Sequence, residues 1–281
     1  MLFHKIKLKN MKNIFILLLL TLWFSTASSQ ENNNDLPEYT GDNFNLEGVL
    51  ALFKQANSLE EFEKLINEES NNVNNLDLNN DGETDYIVVN DIQENDAHVI
   101  VLCTYLSETE KQDIASIGIE KTGNETAILQ IEGDSELYAE NTIVEPFETD
   151  EKIEKSKGGP NAPEITTTDV VVNVWFWPSV RFLYAPGYRV WVSPHRWRFY
   201  PRWWKPWKPY KYSVFYSKSV RHRANFHRTK THRVVIARKV YLPKRSKSTV
   251  VVHNKRGTTV VHKNKRGKTT VVKTKRRGGR R

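Results

Sequence analysis

The sequence predicts an α+β fold, and two observations support that prediction. Apolar residues recur at spacings of three and four over residues 46–66, as they do in helices that bury one face. Four segments rich in apolar residues follow over residues 86–132, separated by short turn-forming stretches that favour antiparallel hairpins. Two helices followed by a small antiparallel sheet make one acidic α+β domain, predicted over residues 45–146.

The two helices are predicted over residues 46–55 and from Ser58 onward. The apolar face of the first helix is formed by Leu46, Val49, Leu50 and Phe53. Ser58 and Glu61 have the S-x-x-E spacing of a capping box, which marks the start of the second helix. The apolar stripe of that helix is formed by Leu59, Phe62, Leu65 and Ile66.

Four strands are predicted after the helices, at residues 86–91, 98–106, 114–121 and 126–132. The second of them contains Cys103, the only cysteine, in apolar surroundings where a free thiol acts as a small hydrophobic side chain. A single cysteine forms no internal disulfide, so the stability of the domain must come from its core, a metal ion or a partner.

The N-terminus has the features of a secretory signal peptide. Lysines precede an apolar run over residues 14–24, and the small residues Ala27 and Ser29 occupy the −3 and −1 positions of a cleavage site. Eleven helical residues rise about 16 Å, which is too short for a hydrocarbon core of about 30 Å. We therefore expect residues 1–29 to be removed on export to the periplasm, the cell surface or the medium, leaving a flexible leader at 30–44 and no transmembrane span.

Charge is strongly segregated along the chain. Residues 31–157 contain 31 acidic and 7 basic residues, a net charge of −24. Residues 158–281 contain 2 acidic and 31 basic residues, a net charge of +29. This separation predicts a C-terminal half that binds polyanions, or attraction between the two halves, or both.

The basic half is predicted to follow a linker at 147–166 and to have two parts. Residues 167–241 contain seven of the eight tryptophans and are predicted to be mostly β or irregular. Short strands are expected there at 170–177, 188–192 and 233–241. Residues 242–281 repeat a unit of two or three valines followed by a basic cluster, with a period of ten to eleven residues. Like charges at this density resist compaction, which predicts a disordered basic tail.

The sharpest motif lies in residues 76–89. Oxygen-bearing side chains occupy loop positions 1, 3, 5 and 9, Gly82 at position 6 permits a tight reversal, and a backbone carbonyl falls at position 7. A hard cation with six to eight oxygen ligands needs such an arrangement, so the loop predicts a structural Ca²⁺ site. The predicted ligands are Asp77, Asn79, Asp81, Glu83 (through its carbonyl) and Asp85. The alternative is an acidic turn that binds no ion.

The loop departs from an EF-hand because Val88 occupies position 12, where an EF-hand has a bidentate glutamate. It resembles the D-x-N-x-D-G-x-x-D calcium loops of FG-GAP and integrin-type sites, of dockerins and of thrombospondin type 3 repeats. That resemblance covers 14 residues in a single copy, which argues against a propeller. The chain as a whole resembles exported bacterial proteins that carry one such loop and an aromatic, basic C-terminus, and this implies no activity.

Residues 200–209 combine tryptophan, proline and basic side chains. In composition they resemble the cationic peptides of the indolicidin type, which act at anionic membranes. Indole rings favour the lipid–water interface, and arginine and lysine meet anionic headgroups. The predicted contacts to an anionic surface are Arg202, Trp203, Trp204, Lys205, Trp207 and Lys208.

Other interpretations of the aromatic residues remain open at this point. Indole rings also stack on sugars and on nucleobases, although export makes nucleic acid the less available partner. Core packing is an equal alternative for four further tryptophans, because tryptophan buries a large apolar area. These four are Trp175, Trp177, Trp191 and Trp197.

The sequence contains no recognisable catalytic constellation. His222, His227 and His232 are five residues apart, so they share a face of neither a helix nor a strand, and no zinc site is predicted. The sequence therefore predicts a non-enzymatic exported envelope protein, in which a calcium-stabilised domain presents a cationic tail to anionic lipid, lipopolysaccharide or glycan. Self-assembly through the oppositely charged halves and extracellular nucleic-acid binding are the alternatives.

Overall fold

The computed structural model describes residues 35–147, 171–246, 250–254, 257–263 and 269–275. The predicted signal peptide, the first residues of the leader and nearly all of the predicted linker lie outside the described residues. Within the described part, helices and a six-stranded antiparallel sheet form an α+β fold, as predicted.

Both predicted N-terminal helices are present, as α1 (Leu46–Gln55) and α2 (Leu59–Ile66). The hydroxyl of Ser58 accepts a hydrogen bond from the backbone N–H of Glu61 at 3.1 Å, which caps the start of α2. The Glu61 carboxylate in turn accepts from the backbone N–H of Asn57, one residue before the cap, at 2.8 Å. The Glu61 side chain thus bonds to the residue before the cap, whereas a capping box predicts a bond to the N–H of Ser58 itself.

The sheet contains six antiparallel strands in chain order. They are β1 (Val88–Glu94), β2 (Ala97–Tyr105), β3 (Lys111–Gly123), β4 (Thr126–Gly133), β5 (Ile143–Pro146) and β6 (Phe226–Thr229). The first four correspond to predicted strands, whereas β5 and β6 are not predicted by the sequence patterns. The register of β5 and β6 runs from Ile143 opposite Thr229 to Pro146 opposite Phe226. The basic half therefore supplies the last strand of the sheet.

Residues 171–246 contain three α-helices and two short 3₁₀ helices (Val220–Asn225 and Leu242–Lys244), which corrects the prediction of a mostly β or irregular segment. The α-helices are α3 (Pro178–Leu183), α4 (Tyr212–Ser219) and α5 (Val235–Tyr241). The predicted strand at 233–241 is wrong because its buried residues recur at helical spacing, with Val234, Ala237 and Val240 on one face. The predicted strand at 188–192 contributes only an isolated bridge between Val192 and Asn90.

The main hydrophobic core lies between one face of the sheet and helices α1 and α2. Phe53 and Phe62, one from each helix, meet edge to face with ring centroids 5.1 Å apart. The basic half adds buried side chains to this same core, and these are Val172, Val174, Trp177, Val180, Leu183 and Phe226. Trp177 is therefore a core residue, as one of the two interpretations of the sequence predicts.

Helix α5 covers the opposite face of the sheet. Its apolar side packs on Ala97, Val99 and Val101 of β2. Gly118 of β3 permits this approach, because a Cβ at that position would lie 2.9 Å from the Val234 side chain and 3.0 Å from that of Ala237. The sheet is thus covered on both faces, by α1 and α2 on one side and by α5 on the other.

Ion pairs join the two oppositely charged stretches within one molecule. The pairs are Arg228 with Glu47, Arg233 with Glu145, Arg238 with Glu132, and Arg245 with Asp134 and Glu136. Residues 35–147 carry 26 acidic and 4 basic residues, and residues 171–246 carry 18 basic and no acidic residues. The net charges of −22 and +18 largely cancel, so the two stretches attract each other as they fold.

The pair between Arg245 and Asp134 is the most buried of these, with side chains 12% and 0% exposed. We expect Arg245→Ala to lower the free energy of unfolding by about 3–5 kcal/mol, because the Asp134 carboxylate is left buried without its cation. Arg238→Ala is the matched control, since that pair is half-exposed and should contribute less than about 1 kcal/mol. Urea unfolding of both variants at neutral pH measures the difference. Equal losses of unfolding free energy in the two variants would contradict the assignment of Arg245 with Asp134 as the more stabilising pair.

The valine repeats form a second, three-stranded antiparallel sheet instead of a disordered tail. Its strands are β7 (Val250–Asn254), β8 (Gly257–Lys263) and β9 (Thr269–Lys275). Each strand coincides with one repeat unit, because Thr-Val-Val sequences favour extended backbone.

Candidate functional site

The predicted calcium loop and the tryptophan-rich segment form two sides of one cleft of about 520 Å³. The loop side is lined by Asn79, Asp81, Glu83, Thr84 and Asp85. The other side is lined by Trp197, Arg198, Tyr200, Pro201, Arg202, Trp204, Lys205 and Pro206. Two motifs that are far apart in the sequence are therefore adjacent in the fold, and acidic and basic residues line the same cleft.

Hydrogen bonds to the backbone of Trp207 and Tyr210 hold the aromatic segment against the loop. The N–H and the hydroxyl of Thr84 both donate to the carbonyl of Trp207, at 2.8 and 3.0 Å. The side chain of Asn75 accepts from the Tyr210 N–H at 2.7 Å and donates to the Tyr210 carbonyl at 3.0 Å. These four bonds fix the position of the cleft's basic wall relative to its acidic wall.

Tyr86, which follows the loop directly, forms the aromatic floor between the two walls. Its ring stacks on Tyr200 at 5.0 Å and meets the edge of Trp204 at 5.1 Å. Its hydroxyl donates to the buried carboxylate of Glu63 at 3.0 Å. Since aromatic contacts of this kind add to apolar burial, this cluster makes the floor a rigid part of the site.

The loop is closed by hydrogen bonds from its own backbone. The Asp77 carboxylate accepts from the N–H groups of Asp81 and Gly82, at 3.1 and 2.9 Å. The Asp85 carboxylate accepts from the Leu78 N–H at 2.6 Å. Gly82 has φ +85°, a left-handed conformation that glycine adopts at little cost, as the tight reversal at position 6 requires.

The surroundings of the loop disfavour the ionisation of its carboxyl groups. Burial is the main cause that raises the pKa of Asp85 to about 8; the Leu78 N–H lowers this pKa, and the nearby carboxylates of Asp77 and Asp81 contribute to the rise. Burial also raises the pKa of Asp77, with a smaller contribution from Asp81. A bound cation would offset both the desolvation and the repulsion, because an opposite charge nearby favours the ionised carboxylate.

In the part of the chain that the structure describes, no three His, Cys, Asp or Glu side chains form a group arranged to hold a metal ion. The predicted ligands Asp77 and Asp85 instead accept loop N–H groups. A carboxylate offers about four lone-pair sites, so an oxygen that accepts one N–H retains capacity for an ion. Calcium binding at this loop stays a prediction that requires its own measurement.

The six predicted interface residues are divided by the fold. Arg202, Trp204 and Lys205 line the cleft. Trp204 is only 9% exposed, contrary to the expectation of an exposed ring, because it packs against Tyr86. Trp207 is half-buried, Lys208 is exposed outside the cleft lining, and Trp203 lines a second cleft.

The predicted site residues do not include seven residues of the lining, namely Thr84, Tyr86, Trp197, Arg198, Tyr200, Pro201 and Pro206. For Trp197, Arg198 and Tyr200, the available signal was the alternation of aromatic and basic residues over 196–200, which overlaps the start of the selected segment 200–209. Arg198 has φ +60°, an uncommon conformation for a residue other than glycine, which forms part of the turn between Arg196 and Phe199.

The remaining candidate groups lie apart from the cleft. Cys103 is fully buried in β2, where burial raises the pKa of its thiol to about 12 and keeps it protonated at neutral pH. The three histidines contact different partners, namely Asn71 (His222), Glu145 (His227) and Glu132 (His232).

Comparisons with protein-family models, with curated proteins and with solved structures each found no match. Among the helices of the described ranges, none is both long enough and apolar enough to cross a bilayer. The function must therefore be inferred from the chemistry of the cleft.

Proposed function

We propose that this chain is an exported, non-enzymatic binding protein of the cell envelope. Its ligand is an anionic group of a lipid, a lipopolysaccharide or a glycan, bound in the cleft between the loop and the tryptophan-rich segment. The observation that carries this proposal is the convergence of Arg198, Arg202 and Lys205 with aromatic rings on one wall, opposite the loop's oxygen atoms.

The basic wall supplies the attraction for the anion. Arginine matches planar carboxylates and phosphates with two parallel hydrogen bonds, and lysine acts as a compact point charge. Trp197 and Tyr200 add rings that pack on the apolar face of a sugar or on the glycerol region of a lipid. An anionic, partly apolar ligand satisfies both features.

Calcium on the opposite wall would make the cleft favourable for an anion. In the absence of the ion, the carboxylates of Asp81 and Glu83 repel an anionic ligand. A Ca²⁺ ion held by Asp77, Asn79, Asp81, the Glu83 carbonyl and Asp85 offsets part of the negative charge of that wall and offers open coordination positions. Sites of this kind in extracellular modules bind calcium with dissociation constants on the order of 10⁻⁴–10⁻³ M.

The test is co-sedimentation with anionic and neutral vesicles across a salt series, with and without Ca²⁺. Because the basic tail contributes its own charge, the informative variant is Arg202→Gln/Lys205→Gln in an otherwise complete chain. We expect this variant to bind anionic vesicles at least about fivefold more weakly in Ca²⁺, with a smaller salt dependence than the wild type.

Arg181→Gln/Lys230→Gln is the matched control, since both residues are exposed, lie outside the cleft lining and remove the same net charge. Equal loss in the control and in the cleft variant would assign the binding to overall charge. Equal binding of the wild type to neutral and anionic vesicles would overturn the proposal.

A further inference from the structure

A second cleft, of about 320 Å³, lies on the other side of the Tyr86 cluster. Its aromatic lining includes Trp191 and Trp203 from the basic half, together with Tyr86. Trp203 is 45% exposed, so a large part of its indole is available to a ligand. None of the predictions from the sequence assigns a role to this cleft.

The second cleft is acidic, although its aromatic walls come from the basic half. Three glutamates of helix α2 line it, Glu60, Glu61 and Glu63, together with Lys64 and His195. Glu63 is buried and accepts hydrogen bonds from Tyr86 at 3.0 Å and from Ser193 at 2.8 Å. Glu60 and Glu61 are exposed. An anionic ligand would be repelled here, whereas a cationic ligand would gain both carboxylates and aromatic faces.

A resident cation already occupies part of this arrangement. The ammonium group of Lys64 lies 5.9 Å from the centre of the Trp203 ring and 3.8 Å from a carboxylate oxygen of Glu68. Both Lys64 and Trp203 are exposed, so the side chain of Lys64 can move away from the ring. The contact demonstrates that the ring face is oriented toward an ammonium group at the mouth of the cleft.

We propose that the second cleft binds an alkylammonium group, held between Trp191 and Trp203 and by the carboxylates of Glu60 and Glu61. The ligand displaces the Lys64 ammonium from the Trp203 ring. The same chemistry is available from a methylated ammonium headgroup and from a lysine side chain of another protein. This site differs from the calcium-loop cleft in charge, and it requires no metal ion.

The experiment is a titration of the complete mature chain with choline chloride, and separately with Nα-acetyl-lysine amide, in calcium-free buffer at matched ionic strength. Indole N–H signals in NMR spectra report binding, and the Trp203 signal is identified by its loss in Trp203→Ala. We expect saturable shifts of the Trp203 and Trp191 signals. Tighter binding of choline would identify a methylated headgroup as the ligand, and tighter binding of the lysine derivative would identify a protein side chain.

Three variants separate this proposal from other uses of the cleft. Trp203→Ala should weaken binding about fivefold or more, and Glu60→Gln should weaken it about twofold. Lys64→Gln should strengthen binding about twofold, because the competing ammonium is removed. Phe176→Ala, a change of an exposed aromatic residue outside both clefts, should leave the affinity unchanged.

The outcome for Lys64→Gln is the most discriminating. A site for a sugar or an anion would lose affinity or show no change when Lys64 is neutralised, and either result would overturn the proposal. So would equal affinities of the wild type and Trp203→Ala, or no saturable shift with either probe. A melting curve of each variant confirms that a lost signal does not reflect unfolding.

Discussion

In calcium-free buffer, the free energy of unfolding is expected to fall as the pH rises from about 4 to about 8, with Asp85 as a main cause. Burial raises the pKa of Asp85 from 3.8 to about 8 in the folded protein. The folded state therefore binds a proton that the unfolded state releases, so the stabilisation is complete below pH 4 and is lost as the pH passes through 8. The linked change is on the order of 5 kcal/mol.

Asp85→Asn isolates this contribution. The amide oxygen of asparagine can still accept the Leu78 N–H, but it carries no charge, so the variant should be several kcal/mol more stable than the wild type at pH 8 without calcium. Burial also raises the pKa of Glu63 and Asp113, and these groups titrate in both proteins. The difference between the two urea-unfolding curves, followed from pH 4 to pH 9, is therefore the quantity to measure.

Calcium should narrow the difference in stability between the wild type and Asp85→Asn. With the ion at about 100 times its dissociation constant, the wild type should gain about 2.7 kcal/mol, whereas Asp85→Asn should gain much less. Asp96→Asn, an exposed change outside the loop, should follow the wild type throughout. If calcium leaves the stability of the wild type unchanged at pH 8, the loop does not bind the ion.

A chain that ends at Phe147 should fail to fold cooperatively, although it contains the whole of the predicted acidic domain. It would lack β6, helix α5 and the core side chains that the basic half provides, and it would carry a net charge near −22 without its counter-charge. Exposed apolar surface on both faces of the sheet would remain uncovered. Circular dichroism during urea titration should give a broad, non-cooperative curve.

A chain that ends at Ser246 is the matched control. It retains the six-stranded sheet, the helices that cover both of its faces and every ion pair described between the two stretches. It lacks only the repeat tail. We expect a cooperative transition with a midpoint close to that of the complete chain. Cooperative unfolding of the chain that ends at Phe147, at a urea concentration similar to that of the complete chain, would contradict the assignment of one core shared by the two stretches.

The sequence predicts the elements of the fold better than their assembly. Helical periodicity is clear in α1 and α2, and short turns identify the hairpins of β1 to β4. Strand β6 is not predicted because Phe226–Thr229 is only four residues long and pairs with a strand that is distant in sequence. Helix α5 is not predicted because valine and isoleucine favour strands locally, and packing on the sheet overrides that preference.

The sequence predicted part of the candidate site, but not that its two motifs form one cleft. Ligand spacing identifies the loop at Asp77, and composition identifies the segment around Trp204. Nothing local to either motif indicates that the Thr84 backbone bonds to Trp207, which brings them together. The acidic cleft beside Trp203 was missed entirely, because its carboxylates belong to a helix that the sequence explains as a simple amphipathic element.

The position of β6 has a consequence for the order in which the molecule can mature. Strand β5 ends at Pro146, and its partner is not synthesised until residue 229, with the covering helix following at Tyr241. Until then the emerging polypeptide has an open edge, an unshielded face and a large excess of negative charge. The chain is therefore kept from completing its fold until almost all of it has left the ribosome, and this delay fits the export that we propose.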